Sequence, residues 1–577
     1  MAGKTLQCCI FTRPGGVWFR RVSLFLVNQF TLCVIILSFL CSPAGYGQGV
    51  TLNGTVRDKK SSLPINAARI TLYDIQGVTV GAADTNPQGE WSISVVPTET
   101  GQTATSISTY SVEQNYPNPF NPSTRIRFTL PVYSRVHVSI HNILGQILDS
   151  KSAQLEAGSY SIDWRSIGGA GVLFYTVETE EYRVTKKMIQ LDGGSGSGLS
   201  GISLVNSAGS VHRALSTAGD VVRVVASSTI HEPDTLTVSL IPGARADFSL
   251  STIHDRAFFV DLHNDALEAI FGDGTYFDFG QRHTIHQTDI PRLLEGGVDA
   301  QLFSVWINPT SQEYQNAGYY PSAIRYLDTL NAQIKRNQST IGIAGTMDSI
   351  QVLNRSGKIA AIPIVEGGHC IEDDLNKLHS FYQRGVRLMT ITWNNSTTWA
   401  VSHSDSRAST VGLSEFGKQV IKTMDSLGMI IDISHVGTKT VEDILAITKN
   451  PIVASHSGVY SLRSNTRNLT DNQIKAIAQG GGVIGVVFYP SFLTGTSTAT
   501  IDNVIQHIDH IKKLVGIDYV AIGSDFDGMG SAHPAGLDDV SKFPALTEAL
   551  LKKGYSRDEV RKILGENFLR VFKTVCK

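Results

Sequence analysis

Six side chains in the C-terminal half are of the kinds that bind metals or carry protons, and each stands at the end of an apolar run. His263 and Asp265 follow AFFVDL, Glu366 ends IAAIPIVE, His435 ends MIIDISH, His456 ends PIVASH and Asp525 ends YVAIGSD. Imidazole nitrogen with carboxylate oxygen is the donor set suited to zinc and related divalent cations. Taken singly, each has a plainer explanation: His435 or His456 as a satisfied core or capping histidine, Asp525 in SDFDG as a turn or helix N-cap. Their coincidence at five run ends is harder to ascribe to packing, and it points to a metal centre.

The elements that must position these groups are short strands alternating with helical patterns from residue 257 onward. Strands are expected near 257–263, 299–306, 359–366, 387–393, 429–435, 451–456, 482–488 and 519–525. Between them, Leu413, Phe416, Val420, Met424 and Leu427 show the 3–4 spacing of a helix with one buried face. Eight such units over 255–577 fit a (β/α)₈ barrel, in which carboxyl-terminal strand ends meet at one face. A doubly wound open sheet is the competing arrangement.

The 577-residue chain has 42% hydrophobic and 17% charged residues and a net charge of −2, which excludes general disorder and gives no footprint for nucleic acid. Its first 47 residues have the order of a secretory signal: Arg20 and Arg21, an apolar core FTLCVIILSFL, then small residues near Gly45 and Gly47. No transmembrane helix is expected after its removal. Four of six cysteines lie in the first 41 residues, leaving Cys370 and Cys576 and arguing against a disulfide scaffold. Residues 48–105 read as a small β-sandwich, and GTVRD, ARITLYD and GEWSISV resemble carboxypeptidase-regulatory-like domains. Residues 110–191 read as a second sandwich; SVEQNYPNPFNPSTRIRFTLP and VHVSIHNILGQILDS resemble the sorting domain of the type IX secretion system, which implies export from a Gram-negative bacterium. That domain normally ends its chain, whereas here residues to 577 follow it. DGGSGSGLSG opens a segment, 192–250, expected to be a flexible linker followed by further strands. The fold class is therefore multidomain, with all-β sandwich modules preceding the barrel, and the location exported: periplasmic, outer-membrane-associated or extracellular.

FVDLHND, HQTDIPRLLEGGVDAQLFSVW, IVEGGHCIEDD, IDISHVG, ASHSGVYSLRSNTRN, GSDFDG and GENFLRVF together resemble the membrane (renal) dipeptidase family over about 257–577. The resemblance implies two zinc ions: His263 and Asp265 on one, His435 and His456 on the other, and Glu366 bridging. It implies hydrolysis of dipeptides by a hydroxide shared between the metals, with D or L residues at the C-terminal position. Two metals about 3.5–4 Å apart suit that chemistry and remove the need for a protein nucleophile. Asp525 is then the candidate to carry the proton, with Asp527 as fallback. Arg467 matches the position that grips the substrate carboxylate, a task suited to a guanidinium fork; Arg463 lies close enough in sequence to be confused with it. A homodimer through the barrel is left open.

One departure stands out. Better-known members of the family carry a histidine where Trp393 stands in LMTITWNNSTTWA. An indole N–H only donates, so Asn394 is the candidate to supply a substrate hydrogen bond in its place. His369 is expected to be supporting, while His283, His286, His379, His507 and His510 have no expected task. Two alternatives follow: another binuclear amidohydrolase acting on N-acyl amino acids or lactams, or a cell-surface binding protein whose barrel has weakened catalysis. The first is disfavoured by His263-Asn264-Asp265, where such enzymes usually carry HxH; Trp393 keeps the second alive.

Overall fold

The computed structural model describes residues 50–75, 77–95, 110–191, 194–207, 221–272 and 278–577. The chain divides into Met1–Gln48 and Gly49–Lys577, and the export signal expected over 1–47 lies outside the described residues.

Eight parallel strands close into a barrel: β1 (Val260–Asp261), β2 (Ala300–Trp306), β3 (Ile359–Glu366), β4 (Leu388–Thr390), β5 (Ile430–Asp432), β6 (Val453–Ser457), β7 (Val483–Val486) and β8 (Val520–Ile522). The ring closes where Asp261 of β1 pairs with Ile522 of β8. β2 and β3 run side by side from Ala300↔Ala360 to Trp306↔Glu366. Strands covered on both faces read as continuous apolar runs, and β3 is buried along its whole length. Successive side chains alternate between two cores. Leu302, Leu388 and Ile430 join Phe568 and Phe572 of the final helix, while Phe303, Met389 and Ile431 face the surrounding helices. The helix Glu415–Leu427 shows how those helices are bounded. Ser414 caps its start by accepting from the Gly417 N–H, Gly428 at φ +77° ends it, and Val420 and Met424 are buried.

Several strands stop short of the apolar runs that announce them. β5 ends at Asp432 and β8 at Ile522, and beyond them His435 and Asp525 both adopt φ +66°. Left-handed backbone at a non-glycine residue breaks the ladder and swings the side chain over the barrel mouth, and such strain is usually retained where a site needs it.

The β modules are arranged differently from their order in sequence. One sandwich stacks Val50–Asp58, Glu90–Val95 and Phe248–Leu250 against Arg69–Tyr73, Thr79–Asp84, Val221–Ser227 and Asp234–Ser239 around Trp91, Ile70 and Val224. A second sandwich, spanning Ser111–Ser207, lies within it in sequence and has its own core of Trp164, Tyr175 and Phe128. Residues 221–250 complete the first sandwich and 194–207 the second, so the described parts of the 192–250 segment divide between the two. The glycine-serine run expected as a linker is, over Gly194–Leu199, a strand paired with Gly158–Gly168. Ladder hydrogen bonds use only backbone groups, so a sequence poor in side chains can still extend a sheet. The first sandwich meets the barrel where the Arg557 guanidinium donates to the Ser228 and His231 carbonyls at 3.0 and 3.3 Å and Arg561 pairs with Glu232. No helix among the described residues is long and apolar enough to cross a membrane.

Candidate functional site

Glu366 is the hub of the barrel mouth. Its Oε2 lies 3.4 Å from His263 Nε2, and its Oε1 lies 3.0 Å from His435 Nε2 and 3.6 Å from His456 Nε2. Asp265 Oδ2 approaches His263 Nε2 at 3.5 Å from the other side. Ligand atoms of His263, Glu366 and His456 fall within 4.8 Å of one another, as do those of His263, Asp265 and Asp525. The six groups singled out by sequence therefore come together in two overlapping clusters that share His263, with His435 completing the first. All six side chains are buried.

Local chemistry shows what such a cluster lacks. His435 Nδ1 lies 2.9 Å from Asn394 Oδ1, an acceptor only, so Nδ1 carries the proton and Nε2 a lone pair. His456 Nδ1 lies 2.7 Å from Ser455 Oγ, whose own proton goes to Asp432 Oδ2 at 2.7 Å. His456 Nε2 is then also a lone pair, and it faces that of His435 at 3.1 Å. His263 Nε2 and Asp265 Oδ1 are buried without a hydrogen-bond partner. Burial pushes Glu366 up and Asp525 well up from the usual carboxylate range, and it drives His435 and His456 well below the usual imidazole range. Burial opposes charge on His263 as well, but Glu366 and Asp265 outweigh it and hold that ring high. Opposed lone pairs, orphaned donor atoms and carboxylates forced toward neutrality are all relieved by cations, and the donor set suits divalent metal.

Arg467 is buried beside this cluster. Its Nη2 donates to the His456 carbonyl at 3.2 Å, its guanidinium lies 5.2 Å from the Phe492 ring centroid, and Nε and Nη1 have no partner. Burial lowers it to about 10, against the pull of Asp525 and Glu366. Arg463, its neighbour in sequence, makes no such contact: its carbonyl accepts from Asn468. Asn394 does not stand open to a substrate through its oxygen, which accepts from both His435 and His403 at 2.9 Å. Asp527 accepts the Gln287 backbone N–H at 2.6 Å, which ties it to the loop before Asp289; Asp525 is the acid in the donor cluster. Trp393 lies tilted against Trp306, 5.0 Å between ring centroids, and 6.1 Å from the His435 ring, and so walls the mouth beside β2 and β4. His369 is pinned to the Ile307 carbonyl at 2.9 Å and His507 to the Val459 N–H at 2.9 Å, both as supports.

Sequence patterning misses two participants. His403 comes from the loop after β4 and spans Asn394 and Thr466, each at 2.9 Å; burial, then Arg467, lower it to about 3. Its only signal was its place in the loop between β4 and the helix Glu415–Leu427. Ser455 had none beyond its position before His456.

This donor set, at the mouth of this (β/α)₈ barrel, is of the kind that suits a divalent metal ion. The chain belongs to the membrane dipeptidase family (peptidase family M19), whose sequence profile matches residues 249–577. A secretion-system C-terminal sorting domain matches residues 114–190. Mouse dipeptidase 3 is 34% identical over 323 residues, 55% of this chain; the match spans 64% of the mouse protein, somewhat under two thirds of its length. Among solved structures, a probable dipeptidase from Pseudomonas aeruginosa superposes with TM-score 0.51 at 25% identity, covering 56% of this chain and 96% of that one. A metallopeptidase from Rhodobacter sphaeroides, solved with a phosphinate mimic of the dipeptide L-Ala-D-Ala, gives TM-score 0.51 at 25% identity, covering 55% and 99%.

Proposed function

We propose that this chain is an exported zinc dipeptidase that hydrolyses the peptide bond of dipeptides, with D or L residues accepted at the C-terminal position. The observation that carries this is the cation-seeking cluster around Glu366 lying beside one buried arginine with two unpartnered N–H donors. His263 and Asp265 would hold one zinc, His435 and His456 the other, and Glu366 both. Metals bound there polarise a carbonyl oxygen and make a water acidic enough to attack near neutral pH.

The chain's own groups do the rest. Arg467 donates to the substrate's terminal carboxylate through charge-assisted bonds. Asp525, raised by burial, takes the proton of the attacking water and delivers it to the leaving amine. Asn394 and Ser455 hold His435 and His456 in the tautomer that directs Nε2 inward. Recognition through a carboxylate rather than a side-chain pocket tolerates either hand, a reading supported by the L-Ala-D-Ala mimic bound to the Rhodobacter relative. The sorting-domain match supports export. Amino-acid release from Gly-Leu and L-Ala-D-Ala by the zinc-loaded chain, with N-acetyl-leucine left intact, is the expected result. Hydrolysis of N-acetyl-leucine and of neither dipeptide would replace this reading with an amidohydrolase.

A further inference from the structure

We propose that Ser455, fixed by Asp432, is a positioning residue shared by both metal positions, so that one hydroxyl aims a ligand of each. The inference rests on the two-metal reading above. Ser455 and Asp432 are both fully buried at 0% exposure. Asp432 is over-supplied with donors: Oδ1 accepts from the Ser434 and Ser455 backbone N–H groups at 3.0 and 2.8 Å, and Oδ2 from Thr390 Oγ1 and Ser455 Oγ at 2.6 and 2.7 Å. A hydroxyl has one proton and two lone pairs. With its proton committed to Asp432, Ser455 Oγ can only accept, from His456 Nδ1 at 2.7 Å, Ser434 Oγ at 3.3 Å and His263 Nδ1 at 3.4 Å. Both imidazoles are thereby held through Nδ1, with Nε2 of His263 turned toward Glu366 and Asp265 and Nε2 of His456 toward Glu366. These two rings lie 3.7 Å apart between centroids, so a single small acceptor can serve both.

The third imidazole is supported from elsewhere. His435 donates to Asn394, which His403 steadies from the loop after β4. The site thus has one strand-borne support common to two rings and one loop-borne support for a single ring. Outer partners of metal-ligating histidines fix tautomer and orientation, and losing one typically costs about 10–100-fold in metal affinity. The plainer role for Ser455 and Asp432 is to stitch β4, β5 and β6 together, which would affect folding and not metal selectively.

The two roles separate in the full-length protein. Zinc affinity of each position is measured by competition with a chromophoric chelator, with cobalt absorption reporting the ligand field. Ser455→Ala is expected to weaken both positions by roughly 10–100-fold while the metal-free melting temperature holds, whereas Asn394→Ala weakens one position only. Wild-type affinity at either position in Ser455→Ala overturns the proposal, as does a lowered metal-free melting temperature with affinity unchanged. Should Ser455→Ala not fold, Asp432→Asn, of equal volume, must weaken both positions, and wild-type affinity at either one overturns the proposal. A wild-type chain that binds no metal would refute the two-metal reading itself; two tight metals in both wild type and Ser455→Ala would refute this inference alone.

Discussion

Carboxylates in the sandwiches and at the barrel mouth are driven in opposite directions. Asp163 takes both oxygens to Arg125 at 2.7 and 3.0 Å, and that hydrogen-bonded pairing holds it below the usual range. Asp247 is lowered in the same way by Arg245. Glu366 and Asp525 are instead pushed up, because burial outweighs the attraction of His263 and Arg467. The sandwich acids are complete in themselves; the barrel acids are arranged for a partner. The contrast separates a supporting surface from a reactive one more sharply than acid or histidine content does.

Substitutions should sort by the same contrast. Glu366→Gln keeps the shape of the hub and removes its charge, and it is expected to cut dipeptide turnover by about 10³-fold or more, about 4 kcal/mol of barrier, with zinc lost in metal analysis. Stripping metal with a chelator should lower the unfolding transition of the barrel and leave that of the sandwiches in place, as scanning calorimetry would resolve; saturation at about 100 times Kd corresponds to roughly 2.7 kcal/mol. Arg467→Leu forfeits charge-assisted bonds worth about 1.5–3 kcal/mol, which predicts roughly a 10–100-fold loss in kcat/KM, mainly through KM, at unchanged zinc content. Arg125→Ala breaks an exposed pair and should be the mildest: turnover unchanged and a melting shift below about 2 °C. A large activity loss in Arg125→Ala would erase the comparison.

The donor cluster was legible because a buried parallel strand has a continuous apolar signature, and a polar side chain at its end is conspicuous. His263, Glu366 and His456 needed only that rule. The sandwiches were not, since period-two alternation shows that a strand exists and not which strand it pairs with. Nothing local in Val221–Ser227 names Arg69–Tyr73 as its partner across an inserted module. Insertion is tolerated where the ends of the inserted module lie close together. The contact of Asn394 with His403 was not legible, because that loop residue is brought round only by the folded chain. Ser455 is a small hydroxyl whose importance lies wholly in which groups surround it.

Reconstitution of the metal-stripped full-length chain with zinc tests the central claim most directly, with Gly-Leu hydrolysis followed as each equivalent is added. The account predicts no turnover without metal and a rise that saturates at about two zinc ions per chain. Full activity in the stripped protein, or none at full zinc occupancy, would contradict it.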